Sequence, residues 1–390
     1  MKKFYYVSLI LIMAMFLYEN TFAIPAFARK YNMTCKTCHS PFPSLKSYGE
    51  EFASNGFVLK DQETPRYFIE TGDDELSLLR DIPLALRVEG YITYNHSYSE
   101  RSDISAPYLI KLLSGGDIAD DISYYFYFFL GERGEVAGLE DAFIMFNDIF
   151  NSNLDLFVGQ FQVSDPLFKR ELRLTFEDYL VYKLKVGQSN INLTYDRGLM
   201  LNYGFSSGTD VTLEILNGCG IGAANNYRIF DNDKYKNFMG RVSQDLTENI
   251  RIGAFGYYGK EEQNEQTNEV ILAGPDATVI VGPFEMNLQY VERRDKNPLF
   301  HQTNAKEIST RGAFAELIFR PDGDESKWYM VGLINYLDKD EKVEISGINH
   351  KSATLSGGYL LKRNIRFVAE STYNFTEEFL QFSAGIIAAF

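Results

Sequence analysis

The last eleven residues, Leu380-Gln381-Phe382-Ser383-Ala384-Gly385-Ile386-Ile387-Ala388-Ala389-Phe390, alternate between two kinds of side chain. Every second position from Leu380 to Phe390 is apolar, whereas the positions between them are small or polar, apart from Ile387. Successive side chains of a β-strand point to opposite faces, so the pattern predicts a strand with one apolar face. Such alternation is typical of transmembrane β-barrels, but strands of soluble β-sandwiches alternate as well.

The same alternation recurs along the chain. In segments 84–95, 250–258 and 365–373, charged residues fall on the face opposite the apolar one, and they are Arg87, Glu89, Arg251, Arg366 and Glu370. A charge on the lipid face costs ~2–4 kcal/mol near mid-bilayer, so these side chains are predicted to face a lumen. The pattern predicts an all-β membrane barrel of about 16 antiparallel strands. The candidate strands are 84–98, 120–131, 138–147, 152–161, 172–186, 190–204, 209–216, 236–245, 250–260, 269–281, 284–293, 308–320, 327–337, 350–361, 364–374 and 377–390.

The connections between these strands alternate in length. With both barrel ends of the chain in the periplasm, the long connections 99–119, 217–235, 261–268, 294–307 and 338–349 all fall outside, as in outer-membrane barrels. The long connection 162–171 is an exception, and segment 172–186 could instead be an inward-folded loop. A net charge of −15 without a basic block disfavours nucleic-acid binding. The slightly negative mean hydropathy excludes a helical membrane protein.

The N-terminus carries an export signal. Met1-Lys2-Lys3 is followed by an apolar stretch at 4–18 and by a small-x-small cleavage site after Ala23. The apolar stretch is shorter than the ~20 residues that a membrane-spanning helix needs. The predicted organisation is a cleaved signal peptide at 1–23, a small domain at 24–82 and a barrel at 83–390, with Pro83 at the boundary.

The small domain contains Cys35-Lys36-Thr37-Cys38-His39. Cys-x-x-Cys-His is the attachment motif of a c-type haem. Cys35 and Cys38 would each bind one haem vinyl group covalently, and His39 would be the proximal ligand of the iron. A zinc site would need two further ligands at matched spacing, and the third cysteine, Cys219, lies far away. A thioredoxin-type motif would need a βαβ context, which the pattern lacks. One covalent haem c is therefore predicted.

The surroundings of this motif resemble a known family. The run 25–34, the motif itself and the run Pro-Phe-Pro-x-Leu-x-x-x-Gly-Glu-x-Phe-x-x-x-Gly-Phe at 41–57 look like the start of fused monohaem cytochrome–porins of bacterial outer membranes. The match covers about residues 24–60. The resemblance implies a short cytochrome segment in front of an outer-membrane barrel, and it suggests oxidation of extracellular Fe²⁺, because the best-known members are iron-oxidising cytochromes.

A lumen of this width can hold a plug, and the small helical domain is attached to the first strand, so it is expected to plug the barrel. Ser44 is expected to cap a short helix that Asn55-Gly56 ends. Leu45, Tyr48 and Phe52 would share one face of it and pack either on the haem or on the barrel. Four arginines whose positions in the strand alternation face the lumen are candidate partners of the haem propionates. They are Arg87, Arg241, Arg251 and Arg366.

The second axial ligand of the iron is not evident from the sequence. Met33 lies close to Cys35, and reaching the opposite haem face looks strained. His350 is a weak candidate because it is in phase with lumen-facing positions, although a solvated histidine at a strand end is the simpler interpretation. His96 and His301 are expected at the outer interface and in an outer loop. The outer loops are expected to be acidic, with Asp117, Glu261, Asp338, Asp340 and Glu341 among their residues. These carboxylates would attract cations such as Fe²⁺ or would simply be solvated.

These observations predict an outer-membrane electron-transfer cytochrome–porin. It would pass single electrons between an extracellular donor, with Fe²⁺ as one candidate, and a periplasmic carrier, while its barrel contacts outer-membrane lipid. Whether it is an Fe(II) oxidase in the enzymatic sense stays open. The alternatives are a diffusion porin whose haem-bearing plug acts as a gate or redox sensor, and electron export to an outside acceptor. If the protein is an electron-transfer conduit, the haem should lie inside the barrel and be reached from the outer side.

Overall fold

The computed structural model describes residues 26–59, 67–73, 75–96, 101–339 and 348–390. A single antiparallel sheet closes into a barrel in which each strand pairs with its neighbours in chain order and β1 pairs with β16. This confirms the predicted 16-stranded antiparallel barrel. The strands are β1 (Leu84–Asn95), β2 (Arg101–Ala119), β3 (Ile122–Glu132), β4 (Gly138–Phe146), β5 (Leu154–Gln162), β6 (Tyr195–Gly204), β7 (Thr209–Leu216), β8 (Asn237–Thr247), β9 (Ile250–Gln263), β10 (Gln266–Val281), β11 (Phe284–Asp295), β12 (Ile308–Phe319), β13 (Trp328–Lys339), β14 (His350–Lys362), β15 (Ile365–Asn374) and β16 (Phe379–Ala389).

The two ends of the barrel differ in their connections. The end where β1 begins carries the tight turns 120–121, 248–249, 282–283 and 363–364, and we call it the short-turn end. The opposite end, the long-loop end, carries the connections 163–194, 217–236 and 296–307 among others. In outer-membrane barrels short turns lie in the periplasm and long loops lie outside.

The alternation of the strands separates an apolar outer face from a polar lumen. Ile92, Phe382 and Ile386 expose 59%, 46% and 43% of their surface. In contrast, Arg366 and Glu370 are only 2% and 7% exposed because they point into the lumen. The predicted inward phase of the charged positions is therefore confirmed. No helix among the described residues is long and apolar enough to cross a membrane.

Two errors in the strand prediction cancel in the total. Residues 101–119, predicted as part of a long outer loop, form β2, and segment 172–186, predicted as a strand, is not one. Pro107 hid β2, because proline is rare inside sheets except at bulges. Here the register between β1 and β2 shifts between Glu89 and Tyr91, next to Pro107, so a bulge accommodates it. Consequently Asp117 is not in an outer loop but lies on β2 near the short-turn end.

The connection 163–194, which we call the inward loop, folds into the lumen from the long-loop end. It contains a 3₁₀ turn at Arg170–Leu172 and a short helix, α4 (Leu180–Lys183), which is the fourth helix among the described residues. The Tyr179 ring stacks on Phe314 of β12 at 4.3 Å, and its hydroxyl donates a hydrogen bond to Glu316 at 2.9 Å. Apolar side chains of this loop and of the facing strands form one buried cluster, which includes Phe161, Tyr182, Ile191, Leu193, Phe255, Val270, Phe314 and Leu333.

Residues 26–59, which we call the entry segment, pack at the short-turn end. The segment forms α1 (Ala26–Tyr31), α2 (Cys35–Cys38) and α3 (Ser47–Ser54). Lys30 forms an ion pair with Asp117 at 2.7 Å, and Lys46 forms one with Asp324 at 2.9 Å. The Phe57 ring stacks on Tyr125 of β3 at 4.7 Å.

The structure modifies the prediction for α3. Ser44 does not cap it, since α3 begins at Ser47 and the carbonyl of Ser44 instead accepts the N–H of Ser40 at 3.0 Å. The helix ends as expected, because Asn55 follows its last residue and Gly56 has a φ of +67°, a conformation that glycine adopts without strain. Of the predicted apolar face, Phe52 is buried, whereas Tyr48 is exposed.

Candidate functional site

The two cysteines of the motif lie on one turn of helix. Cys35 and Cys38 begin and end α2, so their side chains lie on the same side of the helix. Both thiols and the His39 imidazole line a cavity of about 1360 Å³ inside the barrel. Burial raises the pKa of Cys38 to about 11 and also raises the pKa of Cys35. Thiols of redox-active Cys-x-x-Cys motifs have lowered pKa values, so this environment does not favour a dithiol oxidoreductase.

The imidazole of His39 is oriented by a hydrogen bond to the backbone. Its Nδ1 lies 2.8 Å from the carbonyl oxygen of Pro43, and because a carbonyl can only accept, Nδ1 must carry the proton. The lone pair is then on Nε2. Burial lowers the pKa of His39 to about 4, so the ring is neutral at physiological pH. A neutral imidazole that donates its other N–H to a backbone carbonyl is the usual state of a metal-ligating histidine.

Backbone contacts hold the loop that provides this carbonyl. Arg320 donates a hydrogen bond to the carbonyl of Ser40, and Arg366 donates one to the carbonyl of Phe42 at 3.2 Å. The N–H of Lys46 donates to the carbonyl of Cys38 at 3.0 Å. At Gly49, a Cβ atom would lie only 2.3 Å from that same carbonyl oxygen. Only glycine therefore permits this close approach of α3 to α2.

The cavity lies between the entry segment and the tip of the inward loop. Leu45 and Phe52 contribute apolar surface from the entry segment, and Phe143, Leu172 and Leu174 contribute it from the barrel and the inward loop. Its volume exceeds the roughly 300–1,000 Å³ of ordinary ligand pockets, so a ligand as large as a haem can be accommodated. The donor set and the neutral histidine fit a covalently attached haem, and the wall combines these apolar side chains with charged ones such as Glu171 and Arg241.

The predicted propionate partners separate into two groups. Arg87, Arg241 and Arg251 line the cavity, whereas Arg366 is not part of its wall and holds the loop after the motif instead. Arg241 is already paired with Asp276 at 2.6 Å, and Arg251 with Asp210 and Asp245, each at 2.6 Å.

Two further cavity arginines were missed at the level of sequence. They are Arg173 of the inward loop and Arg320 at the end of β12. Arg173 alternates with Leu172 and Leu174 within the predicted strand 172–186, so its phase already indicated the lumen, although it was not among the predicted propionate partners. Arg320 is the last residue of the predicted strand 308–320, and nothing in that position distinguishes it from an ordinary strand-end charge.

The structure does not bring His350 to the cavity. It begins β14 at the long-loop end, where it pairs with Leu337, and its buried Nε2 has no hydrogen-bond partner among the described residues. The 13 residues of β14 correspond to about 40 Å of strand at ~3.3 Å per residue, which argues against His350 as the second iron ligand. Met33 lines the cavity with its sulfur 4.0 Å from that of Cys38, and Met200 lines it from β6.

No cluster of three or more His, Cys, Asp or Glu side chains within the described ranges is arranged to hold a metal ion. Of the acidic residues expected in outer loops, Glu261 and Asp338 lie at the long-loop ends of β9 and β13. Asp340 and Glu341 lie outside the described residues.

The closed sheet of sixteen strands, the short turns at one end and the loop folded into the lumen define a porin-like barrel. No family model matches the chain, and no curated protein matches it. Among solved structures, an anion-selective porin from Comamonas acidovorans has a TM-score of 0.56 at 10% identity, with 80% of this chain and 99% of that chain covered. The outer membrane channel DcaP of Acinetobacter baumannii has a TM-score of 0.57 at 10% identity, with 80% and 97% covered. A loop-deletion mutant of OmpT, an outer membrane protein of Vibrio cholerae, has a TM-score of 0.55 at 12% identity, with 80% and 99% covered.

These similarities establish the fold of the barrel. At such low identity they do not extend to activity, and the cytochrome–porin resemblance of the entry segment has no family match behind it.

Proposed function

We propose that this chain is an outer-membrane electron-transfer protein with one haem c. Cys35 and Cys38 would hold the haem covalently, and His39 would ligate the iron. The observation that carries the proposal is the Nδ1 contact of His39 with the Pro43 carbonyl at 2.8 Å, combined with both thiols on the wall of the same cavity. When bound, the haem would supply one-electron chemistry.

The chain's own residues would hold and shield this group. The Pro43 carbonyl fixes the histidine tautomer, while Arg320 and Arg366 fix the loop that carries this carbonyl. Apolar side chains such as Phe52 and Leu172 would exclude water from the cavity.

The position of the cavity bears on the route of the electron. With the short-turn end in the periplasm, as in outer-membrane barrels, the motif would lie near periplasmic carriers. The packed inward loop occupies the lumen on the other side of the cavity. An extracellular donor such as Fe²⁺, which the family resemblance suggests, would therefore exchange electrons through this packed layer rather than by contact with the haem. The opposite direction, electron export, would use the same site.

A second candidate function is a diffusion porin in which the haem-bearing entry segment acts as a gate or redox sensor. The porin-like fold supports this candidate more directly than it supports electron transfer. The ion pairs between the entry segment and the short-turn end, among them Lys30 with Asp117, are contacts that a gate would break. The apolar cluster of the inward loop favours the first candidate, because an open water-filled pore needs a polar lining.

Reconstitution into sealed liposomes separates the two. The purified protein is inserted into vesicles that contain an electron acceptor, and a membrane-impermeant reductant is added outside. Electron transfer predicts reduction of the enclosed acceptor without leakage of small solutes. A gated porin predicts leakage of small solutes from the vesicles. In those vesicles that do not leak, it predicts no reduction of the enclosed acceptor. The Cys35→Ala/Cys38→Ala variant is the negative control for the redox arm, and Cys219→Ser is the matched cysteine control.

A further inference from the structure

The arginines on the cavity wall differ in how completely they are paired. The Nε–H groups of Arg241 and Arg251 donate to Asp276 at 3.2 Å and to Asp245 at 2.6 Å. The Nε–H groups of Arg87, Arg173 and Arg320 are buried and have no acceptor among the residues that the structure describes. Buried donors are normally satisfied, so unpaired guanidinium N–H groups on a cavity wall call for a ligand that accepts them.

Among the described residues, Arg173 has no carboxylate within hydrogen-bond distance. The nearest carboxylate, Asp178, already accepts two hydrogen bonds from Arg170, at 2.8 and 3.2 Å, and forms an ion pair with Lys183. Arg173 itself is 4.0 Å from Asp178, beyond hydrogen-bond distance, and its Nη1 donates only to the backbone carbonyl of Arg170. Three cations thus share one carboxylate.

Arg87 lies beside this group. Its guanidinium is ion-paired with Glu89 through Nη2, and its Nη1 makes a long contact of 3.4 Å with the carbonyl of Glu171, two residues before Arg173. The carboxylate of Glu171 is occupied by Lys111. The tip of the inward loop therefore meets β1 at a point where two arginines face the cavity and the neighbouring carboxylates are already used.

We propose that Arg87 and Arg173 form a carboxylate-binding site, and that its ligands are the propionate groups of the haem attached at Cys35 and Cys38. This inference rests on the proposed function. Guanidinium groups bind carboxylates through paired, charge-assisted hydrogen bonds, and the free Nε–H groups supply such donors. Arg320 is not included, because the Ser40 carbonyl and Glu285, at 2.9 Å, engage both of its terminal nitrogens in close hydrogen bonds. In Arg87, by contrast, Nη1 makes only the long contact of 3.4 Å.

The site assigns a role to the inward loop. In this arrangement the loop is a second wall of the haem site, because it contributes one of the two arginines and the apolar residues Leu172 and Leu174. A free carboxylate solute in the lumen has the same chemistry as a propionate, so the test must distinguish these two sources.

The test compares the midpoint potential of the haem in the purified protein with the potentials in Arg173→Gln, Arg87→Gln and the control Arg241→Gln. Reduction adds negative charge at the iron, so loss of a cation beside the propionates should favour the ferric form. We expect the ferrous-to-ferric ratio at a fixed potential to fall about tenfold for Arg173→Gln, equivalent to about 59 mV for one electron. Arg173→Lys should retain most of the potential, and Arg241→Gln should change it little.

Folding is checked by heat-modifiable gel mobility. Since Arg87→Gln leaves Glu89 unpaired inside a strand and can fail to fold, Arg173→Gln, on the loop, decides the result. Equal shifts in Arg173→Gln and Arg241→Gln, or no shift in either, would overturn the proposal. Benzoate is then titrated into the haem-loaded protein by calorimetry. If benzoate does not bind, the propionates already occupy the site, which supports the proposal. If benzoate binds in an Arg173-dependent manner and Arg173→Gln leaves the midpoint potential unchanged, the site binds free carboxylates and the proposal is overturned. Absence of haem from the wild-type protein would refute the proposed function itself, which is a distinct outcome.

Discussion

The replacement Gly49→Ala tests how α3 supports the haem motif. Alanine normally stabilises a helix interior relative to glycine by about 1 kcal/mol. Here the added Cβ would lie 2.3 Å from the carbonyl oxygen of Cys38 and 2.9 Å from a methyl group of Leu45. Because the Cys38 oxygen belongs to the backbone, the overlap can only be relieved if α2 and α3 move apart.

The magnitudes indicate which effect dominates. Overpacking of this kind costs about 1–3 kcal/mol. Separation of the helices also weakens the hydrogen bond from the Lys46 N–H to the Cys38 carbonyl, 3.0 Å long, which is worth about 1 kcal/mol. After subtraction of the helix-propensity gain, the packing of the entry segment should lose about 1–3 kcal/mol. The barrel should be unaffected, because its strands do not include this contact.

Limited proteolysis measures this loss. We expect Gly49→Ala to be cleaved within the entry segment at lower protease concentration than the wild type, with reduced haem staining and unchanged heat-modifiable mobility of the barrel. Gly256→Ala is the matched control, because a Cβ there meets no atom within 4 Å. Wild-type protease resistance and haem content in Gly49→Ala would refute the reasoning about the close approach.

Three further predictions concern the motif, the inward loop and the ion pairs of the entry segment. Cys35→Ala/Cys38→Ala should abolish haem staining on denaturing gels while Cys219→Ser retains it, and undiminished staining of the double variant would exclude the motif as the attachment site. Tyr179→Ala should raise ion conductance in planar bilayers because it removes the stacking on Phe314 and the hydrogen bond to Glu316, whereas Tyr179→Phe should change it less, and equal conductance in all three proteins would contradict a lumen closed by this loop. A hydrogen bond and the charge of Lys36 lower the pKa of Glu325, so this contact is complete above the ordinary carboxyl pKa and is lost as the pH falls below it. Proteolysis of the entry segment should therefore increase slightly below about pH 4 in the wild type but not in Glu325→Gln, and identical pH profiles would argue against this contribution.

Most of the barrel could be predicted because the alternation of side chains within a strand can be read from neighbouring residues in the sequence. Alternation in strands such as β16 and β15 follows directly from one face in lipid and one in the lumen, and Arg366 and Glu370 have the inward positions that their phase indicated. The strand prediction failed where residues that usually interrupt strands are accommodated within the sheet. Pro107 and the Gly115-Gly116 pair resemble turn residues, yet β2 continues through them. Pro107 lies at the bulge between β1 and β2, and Gly115 and Gly116 pair with Tyr125 and Tyr124 of β3.

The site was predictable only in part, for a different reason. The motif residues are adjacent in sequence, so Cys35, Cys38 and His39 could be recognised directly. The residues that surround them come from distant parts of the chain: Arg320 reaches the Ser40 carbonyl from 280 positions away, and Arg366 reaches Phe42 from 324 positions away. Arg173 enters the cavity wall because segment 172–186 folds into the lumen as a loop, the alternative to a strand that the sequence left open. His350 shows the converse, since its inward phase was correct but its height along the strand separates it from the motif.

Mass spectrometry of the purified mature protein can show whether Cys35 and Cys38 carry a covalently bound haem. We expect the intact protein, isolated from the outer-membrane fraction, to carry the mass of one haem in addition to that of its polypeptide. After proteolysis that mass should be found on the peptide containing Cys35, Cys38 and His39, with Cys219 unmodified. The contradicting result is a folded barrel with both motif cysteines free and no added haem mass, isolated from cells that mature c-type cytochromes. It would exclude haem attachment at Cys35 and Cys38.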